Sequence, residues 1–276
     1  MRPRKAAWGE DRRPIVLKCT HMENKADVTV ILTVWKRNHL KEQIEALLAQ
    51  TLPPAHIWVI QCMQHVSIKE VLREYPQVKF FQSDEDLKYF SRFSIGIHVR
   101  SEFTWVLDDD IIPASGWIEK CISTCRRYNA IVSSNGRIIP RDDFHPEKVK
   151  GADYTQRYFV GDSTSRDSVN LCDRDSRIDF PCSSYFFRTE WLKYFWGIWP
   201  LTLETAEDIH FAATCQILGG ISVMVPRQLS ESDSGNVKPA YSLDEHASWK
   251  RWGFSEARAE VIRCFITEKG WKPLLW

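Results

Sequence analysis

Three adjacent carboxylates, Asp108, Asp109 and Asp110, stand between the apolar run Phe103-Thr104-Trp105-Val106-Leu107 and Ile111-Ile112-Pro113. Unpaired charges at the end of a buried strand are strongly unfavourable, so such a cluster calls for a cation, a helix N-terminus or well-placed donors. A hard divalent cation is an economical answer. Mg²⁺ and Mn²⁺ accept one or two carboxylate oxygens from a protein and fill their other positions with water and phosphate oxygens. The pattern therefore points to nucleotide handling. A second acidic pair, Glu207-Asp208, opens a segment to Leu218 in which Ile209, Ala212, Ala213 and Ile217 share one side, as in a helix. Negative charge suits the first turn of a helix, and Thr205 stands where a capping residue is expected.

The elements that must hold these residues alternate. Val28–Thr33 is a β-branched apolar run of strand length, followed by the polar turn Trp35-Lys36-Arg37-Asn38. Leu40, Ile44, Leu47 and Leu48 have helical spacing, and Pro53-Pro54 ends that helix. Strands at Ile57–Ile60 and Val78–Phe81 flank a helix at Ser67–Glu74, and a helix around Phe90–Val99 feeds the strand that delivers the three aspartates. Strands alternating with helices predict an α/β fold with a mostly parallel sheet wrapped on both faces, and ligands then bind outside the carboxyl ends of the strands. Beyond it come a helix at Trp117–Tyr128, a strand at Ala130–Ser134, a strand at Cys182–Phe187, a helix at Glu190–Phe195, a strand at Ile221–Val225 and a last helix at Ser255–Lys269. Pro140 to Asp179 is polar, long and aperiodic, the pattern of a substrate-binding excursion.

Composition excludes several classes. The chain of 276 residues carries 43% hydrophobic and 26% charged residues with a net charge of +1, so no polyanion-binding surface and no nucleic-acid partner are expected. No segment is long and apolar enough to span a bilayer. The basic stretch around Met1–Lys5 and Arg12-Arg13 reads as part of a flexible leader over residues 1–26. Eight cysteines without a CxxC pair read as reduced structural thiols of a cytosol-like compartment, although a luminal domain cut from an anchor has the same composition.

The segments VTVILTVWKRNHLKEQIEALLAQ, FTWVLDDDIIP and TAEDIHFAATCQILGG resemble, in order and spacing, glycosyltransferases with the GT-A fold. More narrowly, Leu107-Asp108-Asp109-Asp110, the upstream Ser91-Arg92-Phe93, Glu207-Asp208 and the tail Pro273-Leu274-Leu275 are similar to the exostosin-like glycosyltransferase domain. The resemblance covers residues 28–276. It implies a single GT-A domain over residues 27–276, with a nucleotide-sugar-binding half at 27–135 and an acceptor-binding half at 136–276. It also implies metal-dependent transfer of a xylose, N-acetylglucosamine or glucose unit from a UDP-sugar to a saccharide or glycoprotein-glycan hydroxyl. On that resemblance Asp108 and Asp109 contact the nucleoside, Asp110 binds Mn²⁺ or Mg²⁺, and Thr33, Arg37 and Arg92 serve the nucleobase and diphosphate. Asp208 is the expected base in an inverting enzyme, with Glu207 positioning it or the acceptor; in a retaining enzyme Asp208 would instead stabilise the oxocarbenium-like centre. His246 is a further candidate at the metal. Tyr185, Phe186, Phe187, Trp191 and Trp196 are candidates for an acceptor wall or for the core. The absence of an anchor and of a long upstream domain suits a bacterial or viral enzyme.

Two other functions fit the same scaffold. A sugar nucleotidyltransferase also sets carboxylates and Mg²⁺ beside a nucleotide, but the turn Thr33-Val34-Trp35-Lys36-Arg37 has no phosphate-cradling glycine. A non-catalytic carbohydrate-binding protein would be expected to have lost one of the two acidic sites, and both are present.

Overall fold

In the computed structural model, which describes residues 25–141, 143–144, 158–161 and 169–276, the first apolar run becomes the central strand β1 (Ala26–Val34). Its alternation is lost because both faces are covered, as in parallel sheets generally. After β1 the chain runs through α1 (Leu40–Leu48), β2 (Pro54–Cys62), α2 (Lys69–Glu74), β3 (Lys79–Ser83), α3 (Ser91–Gly96) and β4 (Phe103–Leu107). Strand β1 pairs in parallel with β2 on one side and β4 on the other, and β3 adds outside β2. The progression therefore reverses at β1, where it leaves for β2 and β3 in one direction and for β4 in the other. Such a reversal opens a crevice beyond the strand ends. Arg37 follows β1 and Asp108 follows β4, so both enter that crevice.

The rest of the sheet is built by α4 (Trp117–Tyr128), β5 (Ala130–Val132), β6 (Gly136–Arg137), β7 (Phe159–Val160), β8 (Ser176–Ile178), β9 (Phe180–Pro181), β10 (Ser184–Arg188), α5 (Leu192–Phe195), α6 (Glu207–Gly219), β11 (Ser222–Val225) and α7 (Phe254–Thr267). Its order is β3-β2-β1-β4-β10-β5-β11-β8, with β10 antiparallel to β4 and β5, and β8 antiparallel to β11. A small antiparallel sheet, β7-β6-β9, lies beside it. The architecture is the expected α/β one, with a large, mostly parallel sheet.

Strand β4 is buried along its whole length, and the Trp105 indole nitrogen donates to Ser184 Oγ at 3.0 Å across the β4–β10 pair. An aromatic cluster on one face of the sheet joins Phe93 of α3 to Phe187, Phe195 and Phe211 with centroid separations of 4.5–6.3 Å. Of the aromatic residues considered for an acceptor wall, Phe186, Phe187 and Trp191 are core residues. Trp196 is half-buried and packs on Phe195, and only Tyr185 reaches a cleft.

Three sequence expectations are corrected. Thr205 does not cap α6; the residue at the cap is Ala206, in the left-handed region with φ 65°, and the buried Thr205 hydroxyl has no partner. The helix at Glu190–Phe195 is split into a 3₁₀ turn, Thr189–Trp191, and the single turn of α5. Within the excursion expected between Pro140 and Asp179, Ser176–Ile178 is regular and forms the sheet edge. Three residues with a polar pair at the front are too few to show a period. Residues 1–24 of the leader expected over 1–26, and most of 142–168, lie outside the described residues, while Ala26 already belongs to β1. No helix among the described residues is long and apolar enough to cross a membrane.

Candidate active site

At the crevice six carboxylates are answered by three arginines. Arg92, on α3 and 3% exposed, donates from Nη1 to Asp108 and from Nη2 to Glu207 Oε1 at 2.5 Å. Its guanidinium also lies 5.1 Å from the Tyr185 ring centroid. Arg37, in the turn after β1, donates from Nη1 to Asp109 Oδ1 at 2.5 Å, and the same nitrogen is 3.3 Å from Asp110. Its remaining donors, Nε and Nη2, form a fork on Asp244 with both bonds at 2.7 Å. Arg258, on α7, forks onto both oxygens of Asp208 at 2.8 Å. Planar guanidinium groups suit such two-point contacts and remain charged under all ordinary conditions.

Two adjoining clefts open over this network. The first, about 180 Å³, is lined by Thr33, Arg37, Arg92, Asp108, Asp109, Asp110 and His246. The second, about 380 Å³, is lined by Glu207, Asp208, Arg258 and Tyr185 together with Asn135 and Asn170. Asp108, Tyr89, Ser183, Ser242, Ser248 and Trp249 line both and form the partition. The residues expected to serve donor, metal or base, namely Thr33, Arg37, Arg92, Asp108, Asp109, Asp110, Glu207, Asp208 and His246, thus line one cleft or the other, whereas Phe186, Phe187, Trp191 and Trp196 line neither. Thr33 Oγ1 donates to the Leu107 carbonyl at 3.2 Å, tying the end of β1 to β4 just ahead of the aspartates. His246 is held by its backbone, whose N–H donates to Asp244 Oδ1 at 3.0 Å, and its ring is 3.9 Å from Glu245.

Burial and mutual repulsion reshape the acids. Burial, with Asp108 and Asp109 adding repulsion, pushes Asp110 up to about 8 against the opposing pull of Arg37. Its Oδ1 is buried without a hydrogen-bond partner. Burial, opposed by Arg92 and reinforced by Asp208, raises Glu207 to about 7. Asp244, by contrast, is lowered by the hydrogen bonds from Arg37. Among the described residues no group of three His, Cys, Asp or Glu side chains forms a closed metal cage. A hard cation beside a diphosphate needs only one or two protein oxygens, and the orphaned Asp110 oxygen next to Asp109 is a donor of that kind.

The family model for glycosyltransferase-like family 2 matches residues 26–253. The chain belongs to this family. The match bears out the expectation of a GT-A glycosyltransferase domain and lends no support to the narrower exostosin-like resemblance. No curated protein matches the chain by sequence. Among solved structures, residues 1–349 of S. aureus TarS are 15% identical with a TM-score of 0.48, covering 74% of this chain and 58% of that one. A second S. aureus TarS structure gives 15% and 0.45, covering 74% of this chain and 35% of that one. The chain thus spans less than two thirds of either TarS chain.

In this glycosyltransferase the counter-ions are what the sequence reading missed. Arg258 lies beyond the matched region and 50 positions from Asp208. Its one legible mark is its place on the apolar stripe of α7 with Val261, Ile262 and Phe265, where a charge needs a partner. Asp244 carries no such mark. Trp249, which lines both clefts while 56% exposed, was lost among twelve tryptophans.

Proposed function

We propose that this glycosyltransferase takes its sugar from a nucleoside diphosphate donor, UDP-linked, bound in the first cleft, and passes it to a saccharide hydroxyl presented in the second. The observation that carries the reading is the partition. Acidic and basic phosphate-handling groups line one side, a carboxylate pair lines the other, and Asp108 faces both. A sugar lying across that partition has its donor bond on one side and its attacker on the other.

Arg37 and Arg92 would orient the diphosphate, and Asp110 with Asp109 beside it would hold Mn²⁺ or Mg²⁺, with His246 at the edge of the same cleft. When bound, the cation supplies Lewis-acid neutralisation of the departing diphosphate. The base belongs to the Glu207-Asp208 pair. The resemblance assigns it to Asp208, but both Asp208 oxygens are engaged by Arg258, and the Ile209 N–H donates to one of them at 2.7 Å. Glu207 is met by Arg92 and Tyr185 on Oε1, and its ionisation near neutrality suits a base working at neutral pH. The geometry therefore favours Glu207 as the proton acceptor and Asp208 as the anchor that fixes the N-terminus of α6. As the acceptor oxygen bonds to the anomeric carbon, the carbon–oxygen bond to the diphosphate breaks and the hydroxyl proton passes to the carboxylate.

The test is release of UDP from a panel of UDP-sugars, with and without Mn²⁺, which needs no knowledge of the acceptor. Metal-dependent turnover of one donor, abolished by Asp110→Ala, is expected. Absence of both turnover and metal-dependent binding for every donor in the panel would refute the reading.

A further inference from the structure

The second cleft contains polar atoms that the transfer chemistry does not use. Asn170 is 1% exposed, yet neither its side-chain oxygen nor its nitrogen has a hydrogen-bond partner. Asn135 Oδ1 and Thr205 Oγ1, in the lining of the same cleft, are likewise buried and unpartnered. An unmade bond on a buried polar atom is costly, so several in one wall are a large standing cost. The backbone of Asn170 is well fixed. Its N–H donates to the Asn236 carbonyl at 3.1 Å, and its carbonyl accepts from Ser234 Oγ at 3.0 Å. The side chain is thus held at the cleft wall by its own main chain and by nothing at its tip.

The cleft's charged groups are already committed to one another. Arg258 serves Asp208, Arg92 serves Asp108 and Glu207, and Arg137 lies 3.9 Å above the Phe159 ring. The unmet demand is for neutral hydrogen bonds, framed by the faces of Tyr185, Phe159, Phe254 and Trp249. A carboxamide offers an acceptor and a donor side by side. Two hydroxyls on adjacent ring carbons offer the complement, one donating to the oxygen and one accepting from the nitrogen. Aromatic faces pack on the C–H surface of the same ring.

We propose that Asn170, with Asn135 Oδ1 beside it, forms the subsite that recognises a vicinal hydroxyl pair on a neutral saccharide acceptor. This rests on the transferase reading, since it assigns the acceptor to the second cleft, but it makes a separate claim about binding. The experiment is saturation-transfer NMR on the full chain with methyl glycosides of glucose, galactose, mannose, xylose and glucuronic acid and with 1,4-linked disaccharides of the neutral sugars. At least one neutral saccharide is expected to bind, with the uronic acid no tighter. Asn170→Ala and the similarly sized Asn170→Leu are expected to weaken it about tenfold, the loss of two neutral hydrogen bonds. Because the wild-type amide is unpartnered, the melting temperature of Asn170→Leu should equal or exceed that of wild type, whereas a structural asparagine would lower it. The proposal is overturned if no neutral saccharide binds, if the variants bind as wild type does, or if both variants lose stability. Turnover of a nucleotide sugar together with Asn170-independent saccharide binding would remove the subsite and leave the transferase. Asn170-dependent binding without turnover of any donor would do the reverse.

Discussion

Replacing Arg258 with methionine removes the two 2.8 Å bonds to Asp208 while retaining the length of the apolar stem. The side chains are only 6% and 7% exposed, so solvent does not screen the pair and a carboxylate is left buried without its cation. Breaking a buried pair by deleting one partner costs about 3–5 kcal/mol, and the lost contacts to Phe180 and Phe254 act in the same direction. Urea denaturation of wild type, Arg258→Met, Asp208→Asn and the double variant isolates the pair from those packing losses. A coupling energy of about 2 kcal/mol or more is expected, persisting in high salt. If Arg258→Met costs less than about 1 kcal/mol, or if the two single effects simply add, the anchoring of α6 through this pair is wrong.

Further outcomes follow from the same geometry. Glu207 is raised from 4.5 to about 7 by burial, so the folded chain binds a proton there more tightly than the unfolded one. Its contribution to stability is complete at acid pH, declines as pH rises to about 7 and is constant above; Asp208→Asn, which removes one source of repulsion, should shrink that slope and Glu207→Gln should abolish it in pH-dependent denaturation. If Glu207 is the base, kcat for sugar transfer rises with pH through the same region, and a profile flat from about pH 5 to 8 would contradict that role. Asp244→Asn halves the fork from Arg37 and should loosen the 3₁₀ segments Pro239–Leu243 and Ser248–Lys250, seen as faster tryptic cleavage at Lys250 or Arg251 than in wild type. Unchanged cleavage would show that the stacking of Tyr241 on His39, 3.9 Å apart, with the Tyr241 hydroxyl bonded to Glu42, holds the segment without the fork. Asp179 accepts from the N–H groups of Ile139 and Leu274, both at 2.7 Å, so Asp179→Ala should cost about 1–3 kcal/mol and raise amide exchange around Leu274. Exchange equal to wild type there would refute the clasp.

Most of the scaffold was legible because hydrophobic period and burial agree. β1, β4 and α4 have long, clean patterns, and alternation announces a parallel sheet with its crevice at the strand ends, whereas the reversal of strand order that places Arg37 opposite Asp109 appears only in the pairing of β1 with β2 and β4. The acidic groups were legible as types that are costly to place at a strand end. Their partners were not, because a counter-ion is chosen by distance in space. Asp244 meets Arg37 across 207 positions of sequence, and nothing near either residue advertises the other. The Thr205 cap failed for a local reason: the left-handed Ala206 turns the chain before the helix begins. β8 failed because an edge strand of three residues owes its conformation to β11 and not to its own side chains.

Arg92 gives one positive charge to two carboxylates, Asp108 in the partition and facing both clefts, and Glu207 facing only the second. A shared counter-ion makes the two compartments unequal observers of the same event. Whatever draws Arg92 toward incoming phosphate takes cationic support from Glu207 and strengthens its hold on a proton, while a proton gained by Glu207 leaves Arg92 more wholly to Asp108. On the proposed reading, a phosphate-bearing substrate in one chamber would make Glu207 in the other more basic. Kinetically, such coupling favours an order of arrival in which the donor precedes the acceptor.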